Sequence, residues 1–297
     1  MRVAFRSVAG ASISCAARRV SGCPGRRTHL MLHVVSVHFS SPRWIEIQAR
    51  HLRRHIPVPY MTWTSLEGID PSWGEHFDRV FEQRGRHPGK LNHLAMEIAH
   101  EFPAEDLLMF LDGDAFPVAD PMPLIEQSLS RAPLLAVRRA ENVDQPQPHP
   151  CFCVTTIGAW RELPGDWSGG PTWPGARGIR VTDVGGHLLR TMELKGLPWV
   201  QVLRSNKVDL DPLHFAVYGD VVYHHGAGFR AGDLSGVHSD NGPPRVQIPG
   251  AGPLNRLINR RRWVRWERAM ERHHLEQSEQ VYRRIAAGGD EWLRKLI

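Results

Sequence analysis

Two aspartates separated by one glycine follow an apolar run in LLMFLDGDAFPV, residues 107–118. The apolar run predicts a buried strand. Asp112 and Asp114 would project in the same direction, because side chains two positions apart in an extended segment share a face. Two such carboxylates repel each other unless a cation lies beside them, and Mg²⁺ or Mn²⁺ commonly bridges protein carboxylates to substrate phosphates. Gly113 leaves space for a close approach by a ligand. The motif therefore predicts a metal and diphosphate site.

Three other chemistries use parts of this pattern. Haloacid-type phosphatases carry Asp-x-Asp-x-Thr/Val on their first strand, whereas Phe116 occupies the last position here, about 80 residues into the domain. A Walker B strand needs a partner loop G-x-x-x-x-G-K-[ST], and the nearest match, GRHPGKL, is one residue short and ends in Leu91. An EF-hand needs an oxygen ligand where Phe116 stands. The phosphatase, using Asp112 and Asp114, remains the enzymatic alternative.

Strand-like and helix-like segments alternate along the chain. The strand patterns cover 32–39, 58–63, 106–112, 133–139, 151–160, 199–205 and 221–230. The helix patterns cover 40–56, 87–102, 121–130 and 182–196, the last with Thr182 and Asp183 as its N-cap. This alternation predicts an α/β domain with a mixed, mainly parallel sheet flanked by helices. Ligands of such sheets bind at the carboxyl ends of the strands, where the aspartate pair is expected.

The formal charge of +6 is concentrated at the two ends of the chain. Residues 1–30 hold six arginines and no acid, and they lack the apolar core of a secretory signal. We interpret them as a disordered basic extension before a natural start at Met31. Residues 31–235 hold 19 basic and 24 acidic side chains and form the predicted domain. Its acidic balance argues against nucleic acid as a partner.

The C-terminal part divides into a linker and a helix. Residues 236–252 are rich in Gly and Pro and read as a linker, and 253–297 read as a basic amphipathic helical tail. The whole chain contains no run of 18 apolar residues, so no membrane-spanning helix is predicted.

Four cysteines are too few and too scattered for a disulfide framework, which favours a reducing compartment and a cytoplasmic location. Cys15 and Cys23 lie in the extension, and Cys151 and Cys153 lie on a predicted strand, where both thiols would share a face. His149 is near them, but no second Cys/His pair has a zinc-ligand spacing. We expect buried core thiols.

The motif LLMFLDGDAFPV resembles the Asp-x-Asp strand of glycosyltransferases with the GT-A fold. YHHGAGFR, residues 223–230, resembles the late His-x-x-Gly segment of retaining members, and TDVGG resembles the segment whose acidic residue faces the acceptor or the reacting sugar. The resemblance spans residues 32–230. It implies a Rossmann-like half that binds a nucleotide-sugar donor, transfer of a hexosyl group, and a role in cell-envelope polysaccharide synthesis.

The resemblance also implies a metal shell. Asp114 would be a direct ligand, and Asp112 a ligand or a ribose contact. Position-by-position matching to the His-x-x-Gly segment assigns the third ligand to His225 and the glycine of the motif to Gly228. His224 is the alternative to His225. Because neutral imidazole suits Mn²⁺, we expect Mn²⁺ rather than Mg²⁺.

Other residues receive roles in donor and acceptor binding. Arg230 matches the basic residue that meets the diphosphate, although the family's usual lysine lies one position later. Asp183 would be a general base in an inverting enzyme or would position the sugar in a retaining one; helix capping is its alternative. Lys90, at a helix start, would meet donor phosphate or sugar, or be solvated. Trp167 and Trp173 would stack on acceptor sugars or pack in the core.

The expected acceptor is a glycan, a lipid-linked sugar or another hydroxyl compound. Arginines of the C-terminal helix, together with Trp263 and Trp266, would lie on an anionic membrane surface. The alternative is a helix docked on the domain with solvated arginines. A non-catalytic nucleotide-sugar binding protein is the remaining alternative for the whole chain.

Overall fold

The computed structural model describes residues 30–142, 144–175, 180–208, 214–226, 246–249 and 251–296. The strands are β1 (Leu32–Phe39), β2 (Tyr60–Glu67), β3 (Arg79–Phe81), β4 (Leu107–Asp112), β5 (Ala115–Pro117), β6 (Leu134–Arg138), β7 (Pro148–Thr156), β8 (Trp173–Pro174), β9 (Arg180–Val181), β10 (Val200–Val202), β11 (Ala216–Tyr218) and β12 (Val222–His224). The helices are α1 (Ile45–His55), α2 (His87–Glu101), α3 (Met122–Leu129), α4 (Ile157–Glu162), α5 (Gly186–Lys195), α6 (Gly252–Ala286) and α7 (Asp290–Leu296), with a 3₁₀ helix at Pro71–His76.

A seven-stranded sheet in the order β10-β6-β7-β4-β1-β2-β3 forms the centre of the fold. Strand β1 is parallel to β2 and β4, β2 is parallel to β3, and β10 is parallel to β6. Only β7 runs antiparallel to both of its neighbours in this sheet, β4 and β6. The predicted mixed, mainly parallel sheet flanked by helices is therefore confirmed.

Both faces of the sheet are covered by helices, which explains why the middle strand β4 is apolar up to Asp112. In β4, Leu107, Met109 and Leu111 pack into one core with residues of α1 and α3. Leu108 and Phe110 pack into a second core with residues of α2, α4 and α5. The strand end that carries the aspartates thus emerges between two packed layers.

A second sheet, in the order β11-β12-β5, continues from the aspartate turn. Its outer face packs Phe116 and Tyr223 against Trp44, and the end of α6 and α7 cover this cluster through Val281, Ile285, Leu293 and Leu296. The C-terminal helix is present as expected. Its buried residues begin at His274, so it docks through its C-terminal part.

None of the described helices combines the length and the apolar character needed to cross a bilayer. The expected extension lies outside the described residues up to position 29, as do positions 236–245 and 250 of the expected linker.

The predicted N-cap of the helix in TDVGG is wrong. Helix α5 begins at Gly186, and its N-cap is Gly185, which has a left-handed φ of 91° and makes no side-chain cap bond. A Cβ atom on Gly185 would lie 2.0 Å from the carbonyl oxygen of Pro148. Close approach of the chain to β7 therefore requires glycine at this position and moves the helix start beyond Asp183.

The two buried cysteines are free thiols, as expected, but the prediction that they share a face is wrong. Cys151 packs in the core with β4 residue Met109, whereas Cys153 packs in the opposite core with Phe110. The pairing of β6 with β7 shifts register between Ala136 and Val137. Such a bulge interrupts the two-residue alternation and redirects the side chains that precede it.

Candidate metal and donor site

The aspartate turn lies between β4 and β5 and is held by a buried glutamine. The Nε2 atom of Gln48 on α1 donates to the carbonyl oxygens of Asp112, at 3.0 Å, and Ala115, at 2.7 Å. These bonds join the two sides of the turn. Its backbone is therefore fixed by the protein itself, and the carboxylates of Asp112 and Asp114 are presented at the carboxyl edge of the sheet.

Gly113 lies against the end of β1. A Cβ atom built on it would be 2.6 Å from the carbonyl oxygen of Val37 and 2.9 Å from Nδ1 of His38. The sequence suggested that the missing side chain leaves room for a ligand. In the structure, the space belongs to the neighbouring strand.

Three histidines surround the two carboxylates. His224 Nε2 lies 3.4 Å from Asp114 Oδ1 and 3.6 Å from Asp112 Oδ2. His87 Nε2 lies 3.2 Å from Asp112 Oδ1, and His149 Nδ1 lies 3.8 Å from Asp112 Oδ2. Ligand atoms of Asp112, Asp114 and His224 all lie within 4.8 Å of one another. Carboxylate oxygens with one imidazole nitrogen form a donor set that suits Mn²⁺.

The charges of this cluster are mutually dependent. Burial alone would raise the pKa of Asp112, but the imidazoles of His87, His149 and His224 outweigh it and hold the pKa below its ordinary range. Burial would lower the pKa of His224, but its neighbours Cys151 and Asp114 raise it well above 6.5. The carboxylates thus stabilise positive charge at this point, as a bound cation requires.

The donor set of the cluster fits a divalent cation. Asp112 Oδ1 is buried, and it forms an ion pair with His87 Nε2 at 3.2 Å. Ligand atoms of Asp112, Asp114 and His224 lie close enough together to share one ion. Two carboxylates and one imidazole suit Mn²⁺, so the residues present fit the expected metal.

His225 points away from the carboxylates. Its ring contacts the Tyr223 hydroxyl at 3.0 Å through Nδ1 and the Ser278 hydroxyl at 2.7 Å through Nε2. Burial lowers its pKa to about 3. The sequence placed His225 in the metal shell with His224 as its competitor, and the structure brings His224 to the aspartates.

Lys90 and Phe39 lie on the β1–β2 side of the aspartates. Lys90, only 2% exposed, forms an ion pair with Glu67 and lies 5.3 Å from the centre of the Phe39 ring. Phe39 is 54% exposed although it ends a core strand. Sequence analysis named Lys90 as a candidate donor-binding residue but did not consider Phe39. An aromatic residue directly before the Ser-Ser-Pro helix start was the feature that could have indicated it.

His87 and His149 were also missed as site residues. Each stands directly before a proline and at the start of an element, His87 at the start of α2 and His149 near the start of β7. Both elements begin at the edge of the sheet where β4 ends. Histidines at the starts of the elements on either side of an Asp-x-Asp strand could have indicated that these two residues lie near the aspartates.

Asp183 is separate from the three potential metal ligands. Its Oδ1 atom accepts a hydrogen bond from the backbone N–H of Val184 at 2.8 Å, and its charge acts on His149 and Arg139. It therefore borders the β6–β7 side of the site. The other two expected site residues, Gly228 and Arg230, lie outside the described residues.

The two tryptophans considered for acceptor stacking differ in exposure. Trp167 is fully buried, with its ring 5.0 Å from that of Phe110 and 5.9 Å from that of Trp160. It belongs to the core. Trp173 is partly exposed, and its Nε1 atom donates to Glu193 at 3.2 Å.

No protein-family model matches the chain, and neither does any curated protein. Among solved structures, the chain is similar to the apo form of the glycosyltransferase GlyE from Streptococcus pneumoniae TIGR4, at 17% identity and a TM-score of 0.33. It is similar to the mannosyltransferase PcManGT from Pyrobaculum calidifontis in complex with GDP-Man and Mn²⁺, at 14% identity and a TM-score of 0.34. It is also similar to the galactosyltransferase LgtC with donor and acceptor sugar analogs, at 12% identity and a TM-score of 0.31.

The similarity is partial in both directions. It covers 45%, 46% and 44% of this chain, respectively. It spans 37%, 47% and 59% of the lengths of the three solved chains.

Proposed function

We propose that the protein is a metal-dependent glycosyltransferase that moves a sugar from a nucleoside-diphosphate donor to a hydroxyl acceptor. The observation that carries the proposal is the group Asp112, Asp114 and His224, which gathers two carboxylates and an imidazole at the carboxyl end of β4. Strand ends of this kind are where open α/β sheets bind ligands. The residues involved match oxygen and nitrogen ligands that bridge a metal to phosphates.

In this proposal, Asp114 and His224 hold the metal and a carboxylate oxygen of Asp112 completes the set. Bound Mn²⁺ or Mg²⁺ would neutralise the negative charge that develops on the leaving diphosphate, an effect worth several kcal/mol. We favour Mn²⁺ because one ligand is an imidazole. His87 and His149 keep Asp112 oriented and ionised, since both approach its oxygens.

The donor nucleoside is proposed to lie on the β1–β2 side. The exposed ring of Phe39 offers a stacking surface for a base or ribose. Lys90 is held next to it by Glu67 and supplies positive charge at the start of α2. Arg230 is proposed to make a further contact with the donor phosphates.

The acceptor is proposed to enter on the β6–β7 side, where Asp183 lies. A carboxylate there can remove a proton from the acceptor hydroxyl in an inverting reaction, or orient the sugar in a retaining one. A glycan, a lipid-linked sugar or another hydroxyl compound fits this role, with a hexosyl group as the transferred unit and cell-envelope polysaccharide synthesis as the setting.

The remaining proposals concern organisation. We keep 31–235 as the catalytic domain, 236–252 as the linker and 253–297 as the helical tail. The part of α6 before His274 has no buried residue in the described structure and carries exposed arginines, including Arg256, Arg260 and Arg265. This charge supports a cytoplasmic protein with peripheral contact to an anionic membrane.

The experiment that tests the function is calorimetric titration with UDP, GDP and their common sugar conjugates, each in Mn²⁺ and in EDTA. We expect one nucleotide to bind only with metal, and Asp114→Asn to weaken binding at least about 10-fold through loss of a charged ligand. His224→Gln should have the same effect. The matched variant His225→Gln should keep the affinity and lower only the stability.

Three results would contradict parts of the proposal. Unchanged metal-dependent binding in Asp114→Asn would exclude the proposed metal site. An absence of nucleotide binding, with phosphate release from p-nitrophenyl phosphate in Mg²⁺, would favour the phosphatase alternative. Donor binding without sugar transfer or donor hydrolysis would favour the non-catalytic alternative.

A further inference from the structure

Arg139 directly follows β6, and its side chain lies on the same face of the sheet as that of Val137. Val137, two positions earlier, packs in the same core as Cys151 on β7. Side chains two apart share a face, so Arg139 lies on the side of Val137, whose partner on β7 is His149 at the edge of the sheet. The charge of Arg139 acts on His149, which places the two side chains near each other. Arg138 faces the other way and bonds to Asp144 at 2.5 Å and Gln201 at 3.1 Å.

One donor of the Arg139 guanidinium, the Nε atom, has no acceptor among the described residues. This Nε atom is also buried. Of the nearby carboxylates, Glu141 accepts from the Tyr218 hydroxyl at 2.6 Å and Asp183 accepts from Val184 N–H at 2.8 Å, and neither bonds to this Nε atom. A buried donor without an acceptor is unfavourable, more so when it is charged.

The charge of Arg139 is nevertheless retained. Burial would lower its pKa, but the neighbouring Tyr218, Cys151, Glu141 and Asp183 raise it above its ordinary value. The side chain is therefore a permanent cation with an unused donor. An arginine fork presents its donors in the geometry that matches a carboxylate or phosphate.

The sheet order places this cation on a definite side of the metal group. Strand β7 lies between β6 and β4, so Arg139 starts about two strand spacings, roughly 10 Å, from the strand of Asp112. Phe39 and Lys90 lie in the opposite direction, on β1 and on α2 next to β2. A donor whose diphosphate lies at Asp114 and whose nucleoside lies towards Phe39 would direct its sugar towards Arg139.

We propose that Arg139 binds a carboxylate or phosphate group carried by the transferred sugar or by the acceptor. The substrate on this side of the site is thus acidic rather than neutral. This inference rests on the proposed function, and it adds the chemical class of the substrate. The alternative of a purely structural cation is disfavoured by the unpaired Nε.

The test uses the full chain and three variants, Arg139→Gln, Arg139→Lys and the matched control Arg138→Gln. In the first arm, calorimetry with Mn²⁺ compares UDP-glucuronate with UDP-glucose, or GDP-mannuronate with GDP-mannose if the protein prefers GDP. In the second arm, glucose 6-phosphate, methyl glucuronide and methyl glucoside are titrated onto the protein loaded with Mn²⁺ and the preferred nucleoside diphosphate.

We expect the acidic compound to bind at least about 10-fold more tightly than its neutral analogue in one of the two arms, as a charge-assisted fork contact implies. A preference in the first arm identifies the donor sugar as the source of the anion, and one only in the second arm identifies the acceptor. Arg139→Gln should remove the preference, Arg139→Lys should keep part of it, and Arg138→Gln should leave it unchanged. Arg139→Gln should unfold at the same urea concentration or a higher one, because it removes an unpaired cation.

Equal binding of acidic and neutral compounds in both arms, or a preference that survives Arg139→Gln, would overturn the inference. Failure of the proposed function has a different signature, namely no metal-dependent nucleotide binding at all. In that event the second arm is run with Mn²⁺ alone. If the wild type then binds glucose 6-phosphate and Arg139→Gln does not, the anion site is supported. If the wild type does not bind glucose 6-phosphate, the anion site is excluded.

Discussion

Replacement of Gly113 by alanine separates two explanations of the glycine between the aspartates. The added methyl carbon would lie 2.6 Å from the carbonyl oxygen of Val37 and 2.9 Å from Nδ1 of His38. Carbon–oxygen contacts in proteins are ordinarily about 3.3 Å or longer. The oxygen belongs to the backbone of a central strand, and His38 is fully buried, so neither can move freely.

Overpacking of this kind costs roughly 1–3 kcal/mol. We therefore expect Gly113→Ala to lower the free energy of unfolding by that amount, measured by urea denaturation without metal or nucleotide. Gly89→Ala is the matched control. A Cβ atom on Gly89 meets nothing within 4 Å, and the residue lies in α2, so the same methyl group should leave stability unchanged or raise it by up to about 1 kcal/mol.

The ligand-based explanation makes the opposite prediction for the same variant. If Gly113 only leaves space for a bound diphosphate, Gly113→Ala would unfold like the wild type in EDTA and would lose only metal-dependent nucleotide binding. That result would refute the packing argument. A loss of stability in EDTA, with Gly89→Ala unaffected, would support it.

Two further predictions concern α1. Gln48→Met removes the donor shared by the carbonyl oxygens of Asp112 and Ala115. We expect the free energy of unfolding in urea to fall by about 2 kcal/mol and Mn²⁺ to bind more weakly. An unchanged Mn²⁺ affinity would show that the aspartate turn does not need these two hydrogen bonds. Burial, reinforced by the charge of Arg50, lowers the pKa of His51 to about 4, whereas the value in the unfolded chain is near 6.5. The unfolded state therefore binds more protons, and the stability that neutral His51 contributes is lost as the pH falls below 6.5. Between pH 7.5 and 5 the wild type should therefore lose about 2 kcal/mol that His51→Gln does not lose, and equal losses in urea unfolding would contradict the shifted pKa.

The architecture was accessible from sequence because its central strands and helices have strong local signals. The apolar run of β4 and the spacing of Leu91, Leu94 and Ile98 in α2 predict elements that the structure contains. The helix start at Gly185 was not accessible, because it depends on contact with Pro148 in a strand more than 30 residues away. Local capping signals cannot report such a contact.

The site was partly accessible for a similar reason. Asp112 and Asp114 carry their own signal, since their spacing and position after a strand indicate metal binding. His149 does not, because its direction results from the register shift between β6 and β7. Arg139 differs from Arg138 in sequence by nothing but position, and only the packing of Val137 shows which of the two faces the cleft.

The choice between His224 and His225 shows how a distant segment decides a local assignment. In β12 and the residue that follows it, Val222 and His224 share one face, and Tyr223 and His225 share the other. Pairing of His224 with Ala115 puts the first face beside the aspartate turn, so the alternation of a three-residue strand decides which of the two histidines lies beside the carboxylates. The sequence of the strand is equally compatible with the opposite choice.

The second face is identified by what covers it. Tyr223 packs with Val281 and Ile285 of α6, and His225 bonds to Ser278 of the same helix, more than 50 residues later. A histidine beneath that helix is desolvated and occupied by a hydroxyl on each ring nitrogen, which leaves no nitrogen free for a metal. Docking of the C-terminal helix therefore engages both ring nitrogens of His225, whereas His224 lies beside Asp114.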